Sequence, residues 1–138
     1  MNDKESMHKT PYGYALRVEI SFDDAVIKAK EAFAVEGFGV LSEIDVAAKV
    51  KEKLNKEMDP YVILGMCNPS LAYDALQTEA EIGLLLPCNV IVYRQGAATI
   101  IAAQRPDVIL GVTGNLSLAE IARNADAKIL KALHSLGR

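Results

Sequence analysis

Apolar and polar residues alternate from Tyr12 to Ile20. Tyr12, Tyr14, Leu16, Val18 and Ile20 fall on one side and Arg17 and Glu19 on the other, the period-two pattern of a half-buried strand. Residues 1–10 are polar and read as a flexible N-terminal tail, leaving residues 11–138 as a single α/β domain. Ser21 followed by Phe-Asp-Asp supplies a hydroxyl cap and early carboxylates for a helix. Phe22, Val26, Ala29 and Phe33 then share one helical face, and Gly37 ends the helix. Val40, Leu41 and Ile44 predict a short strand, and Asp45 can cap a helix with a narrow stripe of Val46, Val50 and Leu54. Asp59-Pro60 is a turn before the apolar run Tyr61 to Met66, a buried strand. Asn68-Pro69 starts the next helix, with Leu71, Ala75 and Leu76 inward. Leu84 to Tyr93 and Ala97 to Ala103, separated by Gly96, form a hairpin with Pro87 near the start of its first strand. Arg105-Pro106 ends the second strand, and Gly111 to Gly114 is a loop. Ser117 and Glu120 are spaced as a capping box, with Leu116 and Ile121 as its staple, ahead of a final helix lined by Leu118, Ala122, Ala125, Ile129, Ala132 and Leu136.

The predicted order is β-α-β-α-β-α-β-β-α. Strands and helices alternate only in the first part, so an antiparallel or mixed sheet with helices packed on it, an α+β domain, fits better than a doubly wound nucleotide fold.

Composition narrows the function classes. Hydrophobic residues are 51% and charged residues 24% of 138, ordinary globular usage that excludes a disordered chain or a disulfide scaffold. The net charge of −3 and the lack of a dense Lys/Arg cluster argue against nucleic acid or an anionic membrane as partner. Lys49, Lys51, Lys53 and Lys56 interleave with Glu52 and Glu57 as a solvated helix surface. With a polar N-terminal stretch and no apolar run of membrane-spanning length, a cytoplasmic location is expected.

No phosphate loop, zinc-protease helix, nucleophile elbow or paired-cysteine knuckle is present. Gly37-Phe-Gly39 follows a helix and precedes a strand, the reverse of a dinucleotide-binding context. His8 falls in the predicted tail and His134 on the polar side of the last helix, and Asp74, Glu79 and Glu81 read as surface carboxylates. The unusual segments are Gly65-Met-Cys67-Asn-Pro69 and Leu86-Pro-Cys88-Asn89. Cys67 sits where a strand ends and a helix begins, so free N–H groups could stabilise a thiolate, although Asn68 competes for them as the cap. The alternative is a plain core thiol at each position. Were the two sulfurs close, three roles open: a disulfide across a loop of about 20 residues, worth about 3 kcal/mol but disfavoured in the cytoplasm; half of a metal site, Cys67 and Cys88 being its candidate ligands; or a reactive thiol.

Val40-Leu-Ser-Glu-Ile-Asp-Val46, Tyr61-Val-Ile-Leu-Gly-Met-Cys-Asn-Pro69 and Glu81-Ile-Gly-Leu-Leu-Leu-Pro-Cys-Asn-Val90 together resemble the bacterial and archaeal domain of unknown function 302 family, over about Tyr12 to Leu136. The resemblance implies a small α/β domain of the TATA-binding-protein-like type, usually a homodimer, without implying DNA binding. Its signature positions are Glu43, Asp45, Cys67, Asn68, Pro69, Pro87, Cys88 and Asn89. The chain departs from the family's Asp-Pro pair after the hairpin with Arg105-Pro106-Asp107, which leaves the role of that carboxylate open. The expectation is a homodimeric binding or sensing domain in which Cys67, Asn68, Cys88 and Asn89, with Glu43 and Asp45, form a pocket for a small molecule or a thiolate-bound metal ion. The alternatives are a thiol enzyme with Cys67 as nucleophile and Glu43 or Asp45 as proton acceptor, and a structural module whose cysteines only pack.

Overall fold

Six strands form one antiparallel sheet within residues 7–137, the part of the chain described by the computed structural model. Its strands are β1 (Met7–Lys9), β2 (Gly13–Val18), β3 (Gly39–Asp45), β4 (Tyr61–Cys67), β5 (Cys88–Gln95) and β6 (Ala98–Gln104), in spatial order β1-β2-β6-β5-β4-β3. The helices are α1 (Phe22–Val35), α2 (Val46–Leu54), α3 (Pro69–Thr78), α4 (Pro106–Gly111) and α5 (Ala119–Leu136), with short 3-10 turns at Ala80–Leu85 and Leu116–Leu118. The fold class is therefore α+β, as the sequence predicts. Of the predicted tail, Met7–Lys9 is instead an edge strand paired with β2, and residues 1–6 lie outside the described part.

Strand register explains the core. Leu16, Ile101, Val92 and Val62 stand opposite one another across β2, β6, β5 and β4, as do Tyr14, Ala103, Val90 and Leu64 one pleat away. These rows meet Ala25, Ala29 and Phe33 of α1 and Ile129, Ala132 and Leu133 of α5. Burying each large side chain in this layer contributes about 1.5–3 kcal/mol before chain entropy is subtracted. Thr99 is the buried polar residue of the layer, and its hydroxyl is satisfied: it donates to the Ile20 carbonyl at 2.8 Å and accepts from Arg94 at 3.1 Å. A second, smaller cluster of Ala75, Ile82, Leu110, Leu118 and Ala122 packs α3, the first 3-10 turn, α4 and α5 together.

Local caps follow the sequence at three helices. Ser21 accepts from the Asp24 N–H at 3.1 Å, Asp45 from Ala48 at 2.9 Å and Asn68 from Leu71 at 3.3 Å. At α5 the expectation fails. No side chain caps α5 itself; Asn115, not Ser117, caps the 3-10 turn ahead of it, accepting from the Ser117 N–H at 2.9 Å while its amide donates to Glu79 at 2.9 Å. This second bond ties Asn115 to the end of α3, so the intervening residues wind into a 3-10 turn and Leu116 is left 88% exposed, with no staple. Two further differences concern prolines. Arg105-Pro106 ends β6 but also opens α4, because Pro106 occupies a helical first-turn position that needs no N–H. Ala80–Leu85 is a 3-10 turn, so β5 begins only at Cys88, after Pro87. The stripe on α2 buries no residue, and every residue of β3, the sheet's long edge, is exposed.

Candidate functional site

Three strand ends and three helices converge at one end of the sheet. Cys67 is the last residue of β4, Cys88 the first of β5 and Gln104 the last of β6. These residues, with Asn68, line a cavity of about 350 Å³ whose remaining wall comes mainly from apolar residues of α3, α4 and α5, including Leu71, Leu110 and Ile121. Leu41 reaches the same cavity from β3, at the register shift between Val40 and Ser42. A bulge inserts an unpaired residue and re-aims its side chain, which is how an edge strand supplies this wall.

The structure brings Cys67, Asn68 and Cys88 to this cavity and places Asn89, Glu43 and Asp45 elsewhere. Cys88 lies opposite Met66, whereas Asn89 lies opposite Gly65 and points to the other face of the sheet, where it is exposed. Glu43 is in an ion pair with Lys30 of α1 at 2.6 Å, and Asp45 caps α2; neither lines the cavity. Asn68 serves the backbone at both ends of its amide. The oxygen caps α3, and the nitrogen donates to the Glu36 carbonyl at 3.3 Å, joining the end of α1 to the start of α3. Gly37, at φ 88, makes room for it: a Cβ there would lie 2.9 Å from the Asn68 amide nitrogen. Gly65 has a similar role, since a Cβ would lie 2.9 Å from the Pro87 ring and press on Ser42.

Both thiols are free and half-buried. Burial pushes the Cys88 thiol above its ordinary pKa; the Gln104 side chain beside it acts in the opposite direction, and Cys67 adds to the rise. Cys88 therefore stays protonated at neutral pH. Gln104 is the polar group that sequence reasoning missed, because a glutamine at a strand end carries no signal of what it faces.

Beside this cavity, Arg105 clasps the chain. Its guanidinium bonds both oxygens of Asp107 at 3.3 and 3.0 Å, donates to the Thr10 carbonyl at 2.9 Å and sits 5.7 Å from the centre of the Tyr14 ring. Arg105 holds the Asp107 carboxyl below its usual pKa. The Tyr14 hydroxyl donates to Asp126 at 2.7 Å, and burial together with that bond pushes its pKa up to about 12. Asp107 is thus the partner of Arg105 rather than a cavity group. His8 and His134 are both exposed and do not line the cavity.

The family described as "Domain of unknown function DUF302" matches residues 14–136. The chain belongs to this family. Its fold is also that of an uncharacterized conserved DUF302 protein from Bacillus stearothermophilus known from a crystal structure, with a TM-score of 0.84 and 30% identity over 90% of this chain and 97% of that one. No curated protein matches. Among the described residues of this DUF302 domain, no helix is long and apolar enough to cross a membrane. Nor does any group of three or more His, Cys, Asp or Glu there stand ready to hold a metal ion. Two sulfurs are half of the donor set of a tetrahedral cation.

Proposed function

We propose that this DUF302 protein is a small-ligand binding or sensing domain and that the cavity at the strand ends is its site. The observation that carries the reading is the placement of Cys67, Asn68, Cys88 and Gln104 in the wall of one concave, largely apolar space. Such a space with a few convergent polar groups is the usual form of a ligand pocket. The two thiols would report or tune occupancy, since a bound molecule would screen them from solvent. A metal would require additional ligands, such as those of a second protomer.

Methyl-labelled NMR spectra recorded against a fragment library test this reading. Hits are expected to shift the methyls of Leu71, Leu110 and Ile121 and to be lost in Ala72→Trp, which fills the cavity. Hits that map elsewhere and survive the substitution overturn it.

A thiol enzyme has less support. A Cys67 nucleophile needs a proton acceptor, yet Glu43 and Asp45 are engaged outside the cavity, and the Leu71 N–H that could stabilise a thiolate is bonded to Asn68. A homodimer is favoured by the long β3 edge, on which Leu41 and Ile44 are 69% and 45% exposed. Sedimentation velocity checks it: a single species at the monomer mass across micromolar concentrations rejects the dimer. A cytoplasmic location suits two free thiols. A TATA-binding-protein-like topology, which the family resemblance implies, would bring no nucleic-acid role to a chain of net charge −3.

A further inference from the structure

The chemistry of the cavity wall restricts what can occupy it. None of its lining side chains is Asp, Glu, Lys, Arg or His. Of its polar groups, Asn68 already holds the Leu71 N–H with its oxygen and the Glu36 carbonyl with its nitrogen. The Cys88 thiol is neutral. Gln104 and the Cys67 thiol remain, and the amide is the stronger donor; Gln104 is half-buried, and among the described residues its side chain has no hydrogen-bond partner beyond the Cys88 thiol beside it. A carboxylate or ammonium placed here would leave water and meet no opposite charge, which an apolar tail of modest length does not offset. An uncharged molecule loses only weak hydration and gains contact with Leu71, Leu76, Leu110 and Ile121. At about 350 Å³ the space lies at the small end of ligand sites.

We propose that the cavity takes an uncharged, mainly apolar small molecule bearing one carbonyl-type hydrogen-bond acceptor, and that the Gln104 amide is the group that orients it. The proposal rests on the cavity being the ligand site. A site built to hydrogen-bond one oxygen discriminates through the amide left unpaired when that oxygen is missing. Gln104 is thereby a specificity-determining residue, and the apolar wall supplies most of the affinity.

Isothermal titration of the full chain with 2-nonanone and with nonanoate, equal in carbon number and differing in charge, separates the outcomes. The ketone is expected to bind at least tenfold more tightly than the carboxylate, and Gln104→Leu to weaken the ketone about fivefold, the value of one hydrogen bond. The same substitution should leave 1-nonene, which offers no acceptor, unweakened. Ala72→Trp should abolish binding of the ketone, and Leu76→Trp, at the partly exposed rim, serves the same purpose should Ala72→Trp fail to fold. Nonanoate binding as tightly as the ketone, with both lost in the Trp variants, overturns the ligand class and keeps the cavity. Unchanged ketone affinity in Gln104→Leu overturns the role of that amide. No binding to the wild type at millimolar ketone, or binding that survives in a folded Trp variant, overturns the proposal together with the site.

Discussion

Cys67-Asn68 and Cys88-Asn89 are the same dipeptide on neighbouring strands, and the chain uses them in different ways. At the first, β4 gives way to a helix, so the asparagine leaves the pleat and turns back to bond the backbone of both α3 and α1. At the second, the strand is only starting, so strict alternation puts cysteine and asparagine on opposite faces. Asn68 is therefore a structural stitch in the cavity wall, and Asn89 is an exposed strand residue. Both cysteines nevertheless reach one space, because the end of β4 and the start of β5 lie side by side at the same end of the sheet. An identical pair of letters thus has no fixed meaning; the local backbone decides which of the two side chains is drawn inward.

Substitutions can break this comparison, beginning with the residue that seats the second pair. Gly65→Ala is expected to cost about 1–3 kcal/mol in chemical denaturation, since its Cβ must displace Pro87 just before Cys88; a neutral result would mean that Pro87 is not fixed against β4. Asn68→Ala should cost about 1–2 kcal/mol, while Asn89→Ala should stay within about 0.5 kcal/mol. Equal losses at the two positions would erase the distinction between the two asparagines. Asn68→Asp keeps the cap but sets a carboxylate oxygen against the Glu36 carbonyl in place of the donor, a cost partly offset by the α3 dipole, so the loss should be about 0.5–1.5 kcal/mol. The smallest effect concerns protons. The folded Cys88 thiol has a raised pKa, so its stabilising share is complete below the ordinary thiol range, and it is lost as pH rises through the raised folded value. Cys88→Ala should accordingly flatten the fall of the denaturation midpoint on the alkaline side. A slope identical to wild type would show that burial of this thiol is slight.

Much of the fold was legible because its signals are short-range. Ser21, Asp45 and Asn68 each cap a backbone N–H three residues on, and the alternation in β2 and the apolar runs of β4 and β6 show themselves within six or seven residues. The site was legible only where the same locality held, at Cys67-Asn68. The direction of Asn89 depends on where β5 begins, and that was hidden by an apolar run from Leu84 which turns out to contain a 3-10 turn. Asn115 caps in place of Ser117, and its amide is held by Glu79, 36 residues away, a bond that no local pattern encodes. Gln104 was invisible for the same reason, its neighbours at the cavity being supplied by other parts of the chain.

The sheet order has a kinetic consequence. Strands β3 to β6 are successive neighbours, a meander that assembles from adjacent segments, whereas β1 and β2 form a separate arm whose junction pairs Gly13 with Gln104. Closing that long loop incurs the largest chain-entropy penalty in the sheet, offset by the β2–β6 ladder, the burial of Tyr14 and Leu16, the Tyr14 bond to α5 and the Arg105 bond to Thr10. The arm is thus a natural unit of sub-global opening. In native-state hydrogen exchange, the β2 amides should exchange together, at a lower free energy than those of β4 and β5, and loosening the Arg105 clasp should release the arm while the meander stays protected.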